Sequence, residues 1–155
     1  MEPKEVITQF YKAFADGDAE AMAACYTEDV QFEDPAFGKL SGPEVMGMWR
    51  MLLGRSDGQL KLTLEAAEGS GHTGSARWVA KYPFGPKKRP VVNKVQAEFT
   101  FRDGKICQHR DSFSFWRWSR QALGMPGLLM GWSPMLKRKV HQQTSKLLKR
   151  YLEKQ

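Results

Sequence analysis

The sequence predicts an α+β fold in which an antiparallel or mixed sheet curls around a few helices. Before Asp57, apolar residues recur mostly at helical spacing, whereas in residues 60–115 they recur at every second position. Helices gathered ahead of a run of strands are typical of the α+β class. The length of 155 residues suits a single domain, and a hydrophobic fraction of 41% is enough for a core.

Three helices are predicted in the first part of the chain. Residues 5–16 form the first, because the apolar positions 6, 7, 10 and 14 share one face. Gly17 ends this helix, and Asp18 caps a short second one that runs through Met22 to Tyr26. A short strand at residues 30–34 is stopped by Pro35. Ser41 then caps a third helix, whose apolar face carries Val45, Met46, Trp49, Leu52 and Leu53.

Four alternating runs after Gly58 predict the strands of the sheet, with turns at residues 69–71, 85–90 and 102–105. The inward positions of the first three runs are Leu60, Leu62, Leu64, then Ala76, Trp78, Ala80, Tyr82, Phe84, then Val95, Ala97, Phe99, Phe101. In the last run, Cys107, His109, Asp111, Phe113 and Phe115 share the inward face, and Ile106 and Gln108 fall on the other. The sheet therefore presents an inner face rich in aromatic residues.

The formal charge of +7 is concentrated at the C-terminal end. Residues 1–116 hold 15 Lys and Arg against 16 Asp and Glu, whereas residues 117–155 hold nine against one. A nearly neutral main part argues against nucleic acid as a partner. We therefore divide the chain into a domain at residues 1–118 and a C-terminal extension at residues 119–155.

The extension has two parts with two interpretations. Residues 123–132 are apolar and Gly-rich, and a basic helix begins at Ser133 and Pro134. The favoured interpretation is a lid over the domain with the helix packed behind it, because apolar tails usually bury on their own domain. The less favoured one is docking on an anionic membrane surface.

No cofactor or metal site is predicted. His72, His109 and His141 are too scattered for metal ligands, and residues 69–74 lack the lysine and the following helix of a phosphate-binding loop. Cys25 and Cys107 make no disulfide framework, and residues 1–5 are too charged for a signal peptide. These features predict a cytoplasmic protein.

Three polar residues are candidates for catalysis: Asp34, His109 and Asp111. His109 and Asp111 interrupt an otherwise aromatic strand face, where an unpaired carboxylate is costly and acquires a raised pKa. Such a group can serve as a general acid or base. Alternatively, Asp111 pairs with His109, Arg110 or a backbone amide and only stabilises the sheet. Asp34 ends a strand, and it either points into a cleft or accepts hydrogen bonds within an Asp-Pro turn.

The inward-facing aromatic residues predict either a core or an apolar pocket for a small molecule. As a pocket, they would bind the substrate; the set is Phe10, Phe14, Phe32, Trp49, Trp78, Tyr82, Phe99, Phe113 and Phe115.

Three stretches resemble the NTF2-like superfamily, and within it the SnoaL-like, ketosteroid-isomerase-related proteins: residues 10–18, residues 32–35 and residues 101–106. The C-terminal tail is similar to that of an uncharacterised bacterial subgroup. The resemblance covers residues 4–118 and implies a cone, in which a strongly curved sheet wraps around three helices. It also implies a homodimer through the sheet and chemistry that needs no cofactor.

The resemblance carries over catalytic residues only in part. Asp34 matches the aspartate base of steroid isomerases, but Phe10 and Ala97 stand where their two oxyanion donors are expected, with Tyr11 one position away. Asp111 matches the last aspartate of limonene-epoxide-hydrolase-like members, whereas Trp78 and Ala80 replace the rest of that set.

Two classes of function follow from this mixed set. The first is an isomerase, hydrolase or cyclase in which Asp34 is the base and Asp111 and His109 relay protons or orient a polycyclic or terpenoid-like substrate with a carbonyl or epoxide. The second is a binding module that holds an apolar ligand without catalysis.

Overall fold

The computed structural model describes residues 1–131 and 133–154. Twelve elements follow one another in these residues: α1 (Pro3–Ala15), α2 (Ala19–Ala23), β1 (Tyr26–Asp34), β2 (Gly38–Ser41), α3 (Pro43–Ser56), β3 (Lys61–Ser70), β4 (Thr73–Phe84), β5 (Arg89–Arg102), β6 (Lys105–Ser112), α4 (Phe115–Leu123), α5 (Met125–Met130) and α6 (Pro134–Glu153).

All six strands belong to one mixed, curved and unclosed sheet in the order β2-β1-β6-β5-β4-β3. The β1–β6 pair is parallel, and the other neighbours are antiparallel. Helix α1 packs on β3 and β4, and α3 packs on β1 and β2. The α+β class and the cone predicted from the sequence are confirmed, with a mixed sheet around the N-terminal helices.

Local chemistry explains how the helices begin. Pro3 stands in the first turn of α1, where its missing N–H costs nothing. Asp18 accepts a hydrogen bond from the N–H of Ala21 at 3.0 Å and so caps α2. The third helix begins one residue later than predicted, because Gly42 rather than Ser41 is its N-cap. Glu44 nevertheless accepts a bond from the Ser41 N–H at 3.1 Å, which is half of a capping box.

The last strand differs from its prediction in two ways. A register shift between Thr100 and Phe101 marks a bulge, so that Ile106 is fully buried and Cys107 only half-buried. The predicted parity of Ile106 and Cys107 was therefore wrong. The strand also ends at Ser112, and Ser114 caps α4 by accepting from the Arg117 N–H. Phe115 consequently lies in α4 and not on the inner face of the sheet.

The C-terminal extension packs on the main part of the molecule. Leu148 of α6 is buried in the main core, where it lies with Leu152 over Gly47 of α3. A second core cluster joins the extension to β5; its buried members are Val91, Phe115, Trp118, Ala122 and Val140. Helix α6 therefore packs on β5 and α4 through Val140 and on α3 through Leu148 and Leu152.

The outer face of the sheet is polar. A groove of about 950 Å³ lies on it, lined by charged side chains that include Glu68, Glu98 and Arg110. Arg110 donates to Glu98 at 2.5 Å, so part of this charge is neutralised locally. The homodimer expected from the resemblance would use this face, and it stays a prediction. In the described parts of the chain, no helix combines the length and hydropathy needed to cross a bilayer.

Candidate functional site

A buried chain of hydrogen bonds links α3, β1 and β6. The indole Nε1–H of Trp49 donates to the Tyr26 hydroxyl at 3.0 Å, and that hydroxyl lies 2.8 Å from His109 Nδ1. On the other side of the ring, His109 Nε2 lies 2.8 Å from Asp111 Oδ1. His109 is 1% exposed and Asp111 is 5% exposed. The strand alternation of β6 puts both side chains inside, as predicted.

The groups in this chain fit one arrangement of protons. Indole can only donate, so the Tyr26 oxygen accepts from Trp49, and its own O–H can donate to His109 Nδ1. With Asp111 ionised and the imidazole neutral, the His109 proton is on Nε2 and is donated to the Asp111 carboxylate. Burial raises the pKa of the Tyr26 hydroxyl well above its ordinary value, so that this proton stays in place. The pairing of Asp111 with His109, expected as one alternative, is confirmed.

Asp34 lies at the end of β1, half-buried, and has the second of its two predicted environments, a turn. Its Oδ1 accepts hydrogen bonds from the N–H groups of Ala36 at 2.9 Å and Phe37 at 2.5 Å, which is the geometry of an Asp turn. Burial nevertheless raises the pKa of Asp34 to about 7, and the negative charge of Asp111 adds to the rise. The charge of Asp111 therefore acts on Asp34 at this end of the cone.

Tyr82 of β4 and Trp118 of α4 form a second indole–phenol pair beside Asp34. Trp118 Nε1–H donates to the Tyr82 hydroxyl at 2.9 Å. Burial raises the pKa of Tyr82, and the nearby Asp34 carboxylate raises it further. Because Trp118 occupies an acceptor position of the Tyr82 oxygen, the Tyr82 proton is directed elsewhere. Helix α4 thus orients a hydroxyl next to the candidate base.

Two further polar groups lie in the interior. The Tyr11 hydroxyl and the Trp78 Nε1–H are buried and have no hydrogen-bond partner among the described residues. Burial and the Asp111 charge both raise the pKa of Tyr11 well above its usual range. Their rings are in contact, with centroids 5.6 Å apart.

Sequence reasoning missed the roles of Tyr11 and Tyr26. Phe10 and Tyr11 are both buried, since the apolar face of α1 is wide enough to include both positions. Tyr26 was assigned to the second helix, yet it begins β1. Extending the alternation of Val30 and Phe32 back to position 26 would have placed Tyr26 on the inner face, beside His109.

Most of the predicted substrate-binding aromatics pack against one another or against His109. Phe14 lies 5.0 Å from Trp49 and 5.4 Å from Trp78, measured between ring centroids, and Phe99 lies 4.5 Å from His109. Phe10 and Phe32 join the same cluster, whereas Tyr82 and Phe113 are half-buried at its border with the second cluster. Phe115 lies in the second cluster. Contact of these side chains with a substrate stays a prediction.

Among the described residues, no three His, Cys, Asp or Glu side chains come together in a group that could hold a metal ion. Asp34, His109 and Asp111 are side chains that can give or accept a proton.

Comparison with known proteins identifies the family and supports the fold. Residues 7–109 match the model of the SnoaL-like domain family. A protein from Xanthomonas campestris pv. campestris, proposed to be a polyketide cyclase, superposes with a TM-score of 0.63 at 22% identity, over 76% of this chain and 94% of that one. An LEH-like epoxide hydrolase from M. tuberculosis superposes with a TM-score of 0.62 at 21% identity, over 82% and 94% of the two chains.

An NTF2-like protein of unknown function from Burkholderia pseudomallei gives a TM-score of 0.65 at 16% identity, over 79% of this chain and 98% of that one. No curated protein sequence matches the chain. At these identities the structural likeness concerns the fold, whereas the family model covers most of the domain. The chain therefore belongs to the SnoaL-like domain family and has the cone-shaped NTF2-like fold.

Proposed function

We propose that the protein binds a hydrophobic small molecule at the Asp34 end of the cone and transfers a proton on it by carboxylate acid–base chemistry. The observation that carries the proposal is the pair of carboxylates, Asp34 and Asp111, at the inner end of the sheet. Burial and mutual repulsion raise the pKa of Asp34 to about 7, which is suitable for a general base near neutral pH.

Each polar group has a separate role in this proposal. Asp34 takes the proton from the substrate. His109 and Asp111 form a positioned pair, with the His109 tautomer set by Tyr26 and Trp49, and they orient the substrate or relay the proton. The Tyr82 hydroxyl donates a hydrogen bond to a substrate oxygen that gains negative charge. It thereby takes the role of the two oxyanion donors of steroid isomerases, whose positions are occupied here by Phe10 and Ala97.

The substrate class follows from the walls of the site. Aromatic side chains surround the polar groups, which favours a polycyclic or terpenoid-like molecule with a carbonyl or an epoxide. The structural relatives support this choice, since one is proposed to be a polyketide cyclase and another is an epoxide hydrolase. The reaction would be an isomerisation, a hydrolysis or a cyclisation that needs no cofactor.

A binding module without catalysis is the second candidate, and one observation favours it. Asp34 Oδ1 already accepts hydrogen bonds from two backbone N–H groups, and Asp111 Oδ1 is hydrogen-bonded to His109. Both carboxylates therefore already stabilise the structure. In that case, the same aromatic walls would hold a ligand that is released unchanged.

Turnover of two probe compounds distinguishes the candidates. The wild type is incubated with a β,γ-unsaturated steroid ketone and with a terpene epoxide, and products are followed by mass spectrometry and NMR. We expect conversion of one probe and a loss of about a hundredfold or more in Asp34→Asn and in Asp111→Asn. Asp103→Asn, in an exposed turn at φ 54°, is the matched control. Binding of both probes without conversion would favour the binding module.

The cellular setting is also a proposal. Cys25 and Cys107 are both free thiols, which suits a reducing compartment such as the cytoplasm. A homodimer through the polar outer face of the sheet is the proposed assembly.

A further inference from the structure

An exposed apolar patch lies on α5 and the first turn of α6. Seven large apolar side chains are exposed in the described residues, and five of them fall within residues 125–135: Met125 (65%), Leu128 (41%), Leu129 (61%), Met130 (45%) and Met135 (63%). Single exposed apolar side chains are ordinary, but a contiguous group marks an interaction surface. We call these five residues the α5 patch.

Close packing of glycines forces the α5 patch outward. Gly127 and Gly131 are buried against α4, where a Cβ on Gly127 would collide with the Ser119 carbonyl and one on Gly131 with the Ser119 hydroxyl. The indole of Trp116 also donates to the Leu128 carbonyl at 3.2 Å. Helix α5 is therefore held with its side-chain-free face inward, and its exposure of apolar side chains is a consequence of this packing.

The neighbours of the α5 patch are cationic. Exposed Arg117 and Arg120 precede it on α4, and exposed Lys137, Arg138 and Lys139 follow it on α6. Within residues 1–131 and 133–154, none of these five has an ion-pair partner. Arg120 stacks on the Trp116 ring, 4.6 Å from its centroid. Acidic residues are almost absent from this part of the sequence, since Glu153 is the only one in residues 117–155.

We propose that the α5 patch docks on a bilayer surface that contains anionic phospholipids. Its apolar side chains enter the boundary between headgroups and acyl chains, while the flanking arginines and lysines contact lipid phosphates. An apolar surface bordered by cations that have no ion-pair partner among the described residues fits an anionic bilayer better than it fits a protein partner of mixed charge. The docking uses residues separate from the Asp34 site, so it holds whether or not the proposed acid–base function is correct.

Co-sedimentation with vesicles tests the docking. Full-length protein is mixed with vesicles of phosphatidylcholine and phosphatidylglycerol in a two-to-one ratio, and with vesicles of phosphatidylcholine alone. We expect clear binding to the anionic vesicles, weak binding to the neutral ones, and a fall in binding as salt is added. Equal binding of the wild type to both vesicles, or to neither, would overturn the proposal.

Two variants separate the apolar and the electrostatic contributions. Met125→Ser with Met135→Ser replaces the two most exposed members of the α5 patch, and we expect about tenfold weaker partition. Lys137→Glu with Lys139→Glu removes the charge complementarity, with an expected loss of about fivefold or more per residue. The matched control is Lys61→Glu with Lys81→Glu, an exposed pair on β3 and β4 that makes the same change in net charge.

Circular dichroism shows that each variant is folded before its binding is compared. Unchanged partition of the folded methionine variant would contradict docking through the α5 patch. Loss of partition in the control as large as in Lys137→Glu with Lys139→Glu would reduce the interaction to net charge and contradict a defined surface. If the wild type self-associates and the methionine variant does not, without vesicle binding, the α5 patch is a protein interface and the proposal is wrong.

Discussion

Trp49 acts on His109 through the hydroxyl of Tyr26, which forms hydrogen bonds with both side chains. By donating to the Tyr26 oxygen, the indole leaves the Tyr26 proton for His109 Nδ1, and the imidazole proton then faces Asp111. Every polar atom along this line has a partner, which is why two polar side chains tolerate almost complete burial. The same line keeps the imidazole and the Asp111 carboxylate in fixed orientations, as an acid–base site requires.

Removing one hydroxyl tests this chain of hydrogen bonds. Tyr26→Phe leaves both the Trp49 Nε1–H and His109 Nδ1 unpaired in a buried region, so we expect the free energy of unfolding to fall by about 1–3 kcal/mol. Urea denaturation measures the change. Tyr151→Phe on α6 is the control, because it removes the same hydroxyl from a tyrosine that is only half-buried at the edge of the core. A similar fall in the free energy of unfolding in the two variants would contradict the stabilising role of the Tyr26 hydroxyl.

The raised pKa of Asp34 predicts how stability depends on pH. With a pKa of about 7 in the folded state and 3.8 as its ordinary value, Asp34 keeps its proton when folded and loses it when unfolded between these pH values. Stability contributed by Asp34 is therefore present below pH 3.8 and lost as the pH rises to about 7, at up to about 1.4 kcal/mol per pH unit.

Asp34→Asn removes this titration and keeps an oxygen that can accept in the turn. We expect the variant to be more stable than the wild type at pH 8 and nearly equal to it at pH 4, as measured by urea denaturation at both values. A difference that is the same at both pH values would show that the pKa of Asp34 is not raised.

At the scale of elements, the close packing of α5 on α4 depends on the absence of a side chain at Gly127. Gly127→Ala places a methyl group against the Ser119 carbonyl, and we expect the free energy of unfolding to fall by about 1–3 kcal/mol. Gly54→Ala on α3 is the matched control, since nothing lies within 4 Å of the new methyl and alanine favours the helix. The control should gain about 0.5–1 kcal/mol. Equal effects of the two substitutions would contradict the close α4–α5 contact.

Elements with a regular period were predictable from the sequence, and those with a defect were not. The apolar face of α1 and the alternation of β4 and β5 identified the fold class, and the alternation of β6 put His109 and Asp111 inside. The bulge near Thr100 has no local signature, and it exchanged the environments of Ile106 and Cys107. Strand β2 has only four residues, too few for a period. The Trp118–Tyr82 bond joins residues 36 positions apart, a distance over which local patterns carry no information.

At the scale of the molecule, the C-terminal extension is linked to the candidate site as well as to the core. The Thr144 hydroxyl donates to the Ala36 carbonyl at 2.9 Å, so α6 holds the turn that Asp34 organises. From the other side, Trp118 of α4, the helix that leads into the extension, directs the hydroxyl of Tyr82. Charge is divided between the two parts, with the excess of positive charge on the extension and the candidate acids in the cone. The extension thus shapes one end of the site and offers a different surface to solvent.

If the extension and the cone fold as one unit, a substitution in α6 weakens both together. Leu148→Ala removes a side chain that is 3% exposed and packed in the main core, and we expect the free energy of unfolding to fall by about 2–5 kcal/mol. Far-UV circular dichroism and the indole NMR signal of Trp49 should report the same, single urea transition. Met135→Ala, on the exposed face of the same helix, should stay within about 0.5 kcal/mol of the wild type. If Leu148→Ala left the Trp49 transition unchanged and produced an earlier loss of helix, α6 would unfold independently of the cone.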